Sequence, residues 1–202
     1  MGTSTLLDIM GAIMIGGILM LNMMRVYFNT SETSTQYVSE FMVQESLVDF
    51  TTMLEYDFRK IGYVKGQENL SHAAQAIKTA DKHKLVFYAD IDNSGDQEEI
   101  EYSVGDSTQL TNTPNIHDVP FFRKVDGSGA GIGSYGIVEF QLEYFDYSGI
   151  KLKTPVTNLG AVSTISITVS CESPFYSEVE RDLNARAYWK QIRLAIPNLR
   201  YK

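Results

Sequence analysis

A chain of 202 residues has room for one ordinary domain and an additional element. Its formal net charge of −8, from 17 basic and 25 acidic side chains, repels phosphate backbones, and no run of five basic residues offsets it, so nucleic acid is not expected as a general partner. The single cysteine, Cys171, rules out an intrachain disulfide and is expected as a small buried apolar residue, since no histidine adjoins it in sequence to activate a thiol.

The eight methionines all fall within residues 1–53, which sets the amino-terminal quarter apart from the rest. That quarter opens with the apolar run Leu6–Met24, interrupted only by Asp8 and Asn22. Nineteen helical residues reach roughly 28 Å, close to the hydrocarbon thickness of a bilayer. Gly11, Gly16 and Gly17 would weaken a water-exposed helix but are common in membrane helices. Ala12 and Gly16 form a small-xxx-small pair that permits close helix–helix approach, against the plainer alternative of lipid exposure. A cleaved secretory signal would carry a basic leading region and a small-residue cleavage site, yet residues 1–7 contain neither Lys nor Arg. Myristoylation requires Ser or Thr where this chain has Leu6. A retained single membrane helix over residues 1–28 is therefore expected, with the buried helix of a soluble protein as the alternative. Arg25 alone does not set its orientation.

The polar stretch "NTSETSTQ" that follows reads as a loop or an exposed helical turn. Helical spacing then resumes, with Tyr37, Phe41, Val48, Thr51, Leu54, Phe58 and Ile61 assigned to one apolar face and acids largely between them. Gly62 stops the pattern. Residues 29–62 are thus expected as an amphipathic helix continuing the anchor.

From residue 63 to 202 the period changes to two. "KLVFYADID" and "EEIEYSV" flank "NSGDQ" and read as a hairpin. "IVEFQLEYF" places Val138, Phe140, Leu142 and Tyr144 on one face. After a Ser-Gly turn, "IKLKTPV" is positioned to pair back. "AVSTISITVSCE" alternates through Val162, Ile165, Ile167 and Val169, and a last strand is expected near 189–196. Four to six antiparallel strands packed on the amphipathic helix give an α+β fold, because a half-buried sheet needs a cover for its apolar face.

Two motifs in this region suggest ligands. "DIDNSGDQEEIE" matches a calcium-loop pattern at Asp90, Asp92, Ser94, Gly95 and Glu101, with hard oxygens clustered around a turn that glycine permits. Both flanks read as strands rather than helices, so a solvated hairpin turn competes with calcium as the reading. "GIGSYG" spells a dinucleotide fingerprint but runs into a strand instead of opening a helix, so it is read as a surface loop. His72, His83 and His117 lack metal-ligand spacing. No nucleophile elbow or acid/base pair singles out an enzyme.

The leading stretch "STLLDIMGAI" resembles the amino-terminal motif of type IV pilin-like proteins, which reads glycine, phenylalanine, threonine, leucine, an aliphatic residue and glutamate before an apolar run. Thr5, Leu6 and Leu7 take the threonine, leucine and aliphatic positions, and Asp8 takes the glutamate position. "MLEYDFRKIGY" is similar to the end of the long helix in minor pilins and pseudopilins, and "LVFYADIDNSGDQEEIEYSV" and "VEFQLEYFDYSGIKL" resemble strands of minor-pilin heads. The resemblance implies a structural subunit of a type IV pilus or a type II secretion pseudopilus. Its implied partners are other pilin-like subunits and inner-membrane assembly machinery, with a head in the periplasm or on an extracellular filament. It also implies that Asp8 sets assembly register by pairing with a neighbouring subunit's amino terminus, with Ala12 and Gly16 on the packing face. The alternative for Asp8 is a favourable place near a helix amino terminus. The family's processing site would fall at Gly2, Thr3 and Ser4, where Thr3 stands in the glycine position and Ser4 in that of phenylalanine. Read without the resemblance, the chain is a single-pass membrane-tethered protein whose β head binds a ligand, with calcium as a candidate.

Overall fold

In a computed structural model, the residues described are 2–66, 73–110, 113, 115–129, 131–132, 136–173 and 186–195. The chain divides into two units, Met1–Ser39 and Glu40–Lys202. Helix α1 spans Gly2–Arg59 without a break, so "NTSETSTQ" is helical and not a loop. Its hydroxyls help explain why: Thr33 and Thr35 donate back to the carbonyls of Asn29 and Ser31 at 2.8 and 3.0 Å, an internal satisfaction that leaves the backbone helical.

In the second unit, α1 is covered by two antiparallel sheets. The first has the order β1 (Ile77–Ala80), β2 (Lys84–Ala89), β3 (Glu98–Val104), β4 (Phe121–Val125) and β5 (Gly131–Ile132). The second has the order β6 (Ile137–Phe145), β7 (Thr164–Glu172) and β8 (Arg186–Ala195). The α+β class is as the sequence indicates. The expected hairpin is β2–β3, in register from Lys84↔Ser103 to Ala89↔Glu98. "IKLKTPV" contributes an isolated bridge, Phe145↔Lys151, in place of a strand. The sheets are joined by backbone bonds from Leu142 N–H to Lys82 C=O and from Val119 N–H to Ile137 C=O, each 2.8 Å.

The buried stripe of α1 is Val43, Leu47, Phe50, Leu54 and Phe58, and buried Ile61 follows just past the helix end. This corrects the expected face at its amino-terminal end, where Tyr37, Phe41 and Val48 are 68%, 65% and 60% exposed. Measured from Leu54 at 100° per residue, Val48 lies about 120° and Phe41 about 140° around the helix, whereas Leu47 and Val43 lie within about 20°. Steps of three and four do not hold a face when they are taken in the wrong order. A similar slip occurs in β6, where a register shift between Ile137 and Glu139 buries Ile137 fully and leaves Val138 half-buried. Val162, Ile165, Ile167 and Val169 are buried as expected.

Aromatic rings join the layers. Phe50 of α1 packs edge-on against Phe121 of β4 at 4.6 Å between centroids and against Phe140 of β6 at 6.4 Å. Phe58 does the same with Phe87 and Tyr102 at 5.7 and 5.3 Å. One polar contact crosses this core. Asp57 is 2% exposed and accepts hydrogen bonds from the Tyr102 hydroxyl and from Arg123 Nε, the latter at 2.8 Å. Arg123 Nε also donates to the Tyr102 oxygen at 3.0 Å. Burial and the adjacent Asp57 charge push the Tyr102 hydroxyl well above its ordinary range, so it serves as a permanent donor. Asp57→Ala leaves Arg123 and Tyr102 facing a void without their acceptor and is expected to destabilise the protein by about 3 kcal/mol, as read by denaturant unfolding.

Candidate functional site

The first unit presents an apolar helical surface. Among the described residues, one helix is long and apolar enough to cross a membrane, and none of its most apolar window is buried. That exposure is consistent with membrane anchoring. Asn22, the polar interruption of the run, turns its amide back and donates one N–H to Ile18 C=O at 3.0 Å.

Asp8 is exposed and lies beyond the first turn of α1, which holds no acid. Among the described residues it has no ion-pair partner within the chain. Ala12 and Gly16 follow at four-residue steps, so the three residues share one side of the helix. A Cβ added at Gly11, Gly16 or Gly17 would meet nothing within 4 Å. The chain's own packing therefore does not require these glycines, although each costs a helix interior roughly 1 kcal/mol relative to alanine. Gly2, Thr3 and Ser4 belong to the start of α1.

The second unit carries the acidic loop between β2 and β3. The structure brings together Asp90, Asp92 and Glu98, whose carboxylate oxygens lie within 4.8 Å of one another. Glu101, the twelfth position of the calcium-loop pattern, is elsewhere. It lies within β3 opposite Val86, with its carboxylate on Lys84 Nζ at 2.9 Å and Lys124 Nζ at 3.6 Å. The hydrogen bond from Lys84 holds its carboxyl below the ordinary carboxylate range. The strand begins at Glu98, so Glu98 is the carboxylate left facing the loop, and it accepts from Ile91 N–H at 2.9 Å.

The loop's acids are met by backbone donors. Buried Asp90 accepts from Ser94 N–H on one oxygen and from Lys65 N–H and Gly95 N–H on the other, each at 3.0 Å. Asp92 also accepts from Ser94 N–H, at 2.9 Å, and its bonds with Ser94 hold its carboxyl below the ordinary range. Ser94 Oγ accepts from Asp96 N–H at 3.3 Å. This wrapping requires left-handed backbone at Asn93, with φ of 62°, and at Gly95, with φ of 98°.

Sequence reasoning missed two lysines. Lys60 sends its ammonium to Ile91 C=O at 2.5 Å, Asp90 C=O at 3.3 Å and Asn93 Oδ1 at 3.4 Å. Lys65 Nζ donates to Asn93 C=O at 2.9 Å. The cue was the position of Lys60, two residues before the helix-ending glycine, where an ammonium reaches past the helix end.

The other motifs resolve more simply. Gly131–Ile132 of "GIGSYG" forms β5 on β4, while residues 133–135 lie outside the described residues. His83 Nδ1 lies 2.8 Å from Phe140 C=O, and His117 Nδ1 lies 3.3 Å from Glu172; His72 lies outside the described residues. Cys171 is fully buried.

No protein family, curated protein or solved structure matches this chain.

A long apolar amino-terminal helix whose later turns pack on antiparallel sheets is compatible with a pilin-like fold and with membrane anchoring. Burial pushes the Cys171 thiol up to about 12. Since burial favours the neutral form, thiolate stays scarce below that pH, and iodoacetamide at pH 8 is expected to leave Cys171 unmodified until the protein is unfolded, as read by mass spectrometry.

Proposed function

We propose that this chain is a type IV pilin-like structural subunit, a minor pilin or pseudopilin, that assembles into a pilus or type II secretion filament through α1. The observation that carries the reading is the division of labour along one continuous helix. Its early turns are apolar and exposed, and its last turns form the core of an antiparallel head. The residue-level resemblance supports it further. Leu54, Asp57, Gly62 and Tyr63 of "MLEYDFRKIGY" all tie the helix end to the head. Leu54 is fully buried, Asp57 takes the buried bonds described above, Gly62 adopts φ of 74° and donates to Tyr88 C=O, and Tyr63 C=O accepts from Asp90 N–H.

In this reading the membrane holds the subunit by residues 1–28, with the head in the periplasm of a bacterium or on an extracellular filament. The partners are other pilin-like subunits and inner-membrane assembly machinery. Asp8 is the register-setting charge. A carboxylate in an apolar segment is expensive unless it meets a donor, and its own chain supplies no ion pair among the described residues, so the donor comes from a neighbouring subunit. Ala12 and Gly16 supply the close approach, which accounts for a glycine at position 16 that the isolated chain does not need.

The competing reading is a single-pass membrane protein whose head binds a ligand or calcium, for which the Asp90, Asp92 and Glu98 cluster speaks. The two readings differ at Asp8. Asp8→Ala is expected to reduce incorporation into sheared filaments by at least about tenfold, the loss of roughly 1.4 kcal/mol in docking, while the membrane-bound level of the full chain is unchanged. Incorporation at the wild-type level would sink the register role. Processing is tested by the amino-terminal mass of protein extracted from membranes. A mature chain beginning at Thr3 or Ser4 is expected, and a start at Met1 or Gly2 would argue against pilin-type cleavage.

A further inference from the structure

The β2–β3 loop concentrates acids in the manner of a divalent-cation loop, yet the atoms around it already enclose a positive charge. Lys60 Nζ lies 2.5 Å from Ile91 C=O, 3.3 Å from Asp90 C=O and 3.4 Å from Asn93 Oδ1. Two aromatic rings complete the enclosure, with the ammonium 4.9 Å from the Tyr56 centroid and 5.7 Å from that of Tyr63. Carbonyl oxygens and ring faces are what a protein offers a cation, and none of these groups is a side-chain carboxylate of the acids that drew attention to the loop. Those acids are engaged otherwise. Asp90, Asp92 and Glu98 accept loop and flanking N–H groups, so their charge is spent folding the backbone around them.

We propose that Lys60 is the resident cation of this loop: its ammonium, delivered from the end of α1, fills the role that a divalent ion fills in acidic loops of similar sequence. The sequence places it well. Gly62 ends the helix with φ of 74°, and Tyr63 C=O then receives Asp90 N–H at 2.8 Å, so the loop is held against the helix end within reach of Lys60. Lys65, whose backbone N–H caps Asp90 and whose ammonium holds Asn93 C=O, adds a second clamp on the same loop. The loop therefore keeps its fold without metal, and helix end and hairpin are coupled by one side-chain charge.

The test is thermal unfolding of the full chain in detergent, in chelator and in millimolar calcium chloride, for wild type, Lys60→Met and Lys60→Arg. Wild type is expected to melt at the same temperature in both solutions. Lys60→Met keeps an unbranched apolar stem but no charge and is expected to melt about 3 to 6 °C lower. Lys60→Arg keeps the charge and is expected to fall between the two. A melting temperature of wild type that rises with calcium would overturn the proposal, because the loop would then have room and need for a divalent ion. So would Lys60→Met melting with wild type, or Lys60→Arg falling as far as Lys60→Met, since the effect would then be absent or indifferent to charge. If Lys60→Met does not fold, the calcium comparison on wild type and the melting of Lys60→Arg still decide the matter.

Discussion

The inner faces of the two sheets carry Phe87, Tyr102 and Phe121 on one side and Phe140, Leu142 and Tyr144 on the other, all buried. Both faces pack on a third element. The stripe of α1 from Val43 to Phe58 is that element. Phe50 touches an aromatic ring from each sheet, so the core forms around the helix rather than between the sheets alone. Everything that positions the hairpin, the acidic loop and the buried Asp57 follows from that stripe being in place.

One helix thus meets two environments with two different compositions. Where it is enclosed by sheets, it needs large residues in a narrow stripe and tolerates charge on the remaining faces, which explains Glu45, Asp49 and Glu55. Over Leu6–Met24, where it is exposed, it carries apolar residues apart from Asp8 and Asn22, and Asn22 donates to its own backbone. The methionine-rich composition of the early turns and the aromatic composition of the later ones express the same division. Asp8 is the exception, an exposed carboxylate within the apolar turns.

The class of fold was legible because period and length act locally. A nineteen-residue run interrupted only by Asp8 and Asn22, a hairpin with a glycine-bearing turn and two alternations need no knowledge of neighbours. The β7 face is legible at Ile165, Ile167 and Val169 for that reason, and Val162 is buried just before the strand. The helix face was misread at Tyr37, Phe41 and Val48, since apolar residues occupy several sides of α1 and only the sheets decide which side is enclosed. Val138 was misassigned because a bulge is a property of the pair of strands, not of one. In the loop, counting twelve places from Asp90 led to Glu101, but β3 starts early enough to carry that side chain onto Lys84 and leave Glu98 behind. Lys60 went unnoticed because a cage made of carbonyl oxygens and ring faces leaves no pattern of residue types.

Apolar packing between a helix and a sheet is forgiving along the axis. Rows of similar side chains recur at every turn, so a helix displaced by one turn finds nearly equivalent contacts. The bonds of Asp57 to Tyr102 and Arg123 have no such periodic alternative. A displacement of one turn would bring Met53 or Ile61 to the place of the carboxylate and strand a guanidinium and a phenol beneath the helix. The contribution of this group is therefore better judged as alignment than as cohesion. It removes the sliding freedom that an otherwise greasy contact would retain, and it makes any axial pull on α1 act on a discrete, directional latch.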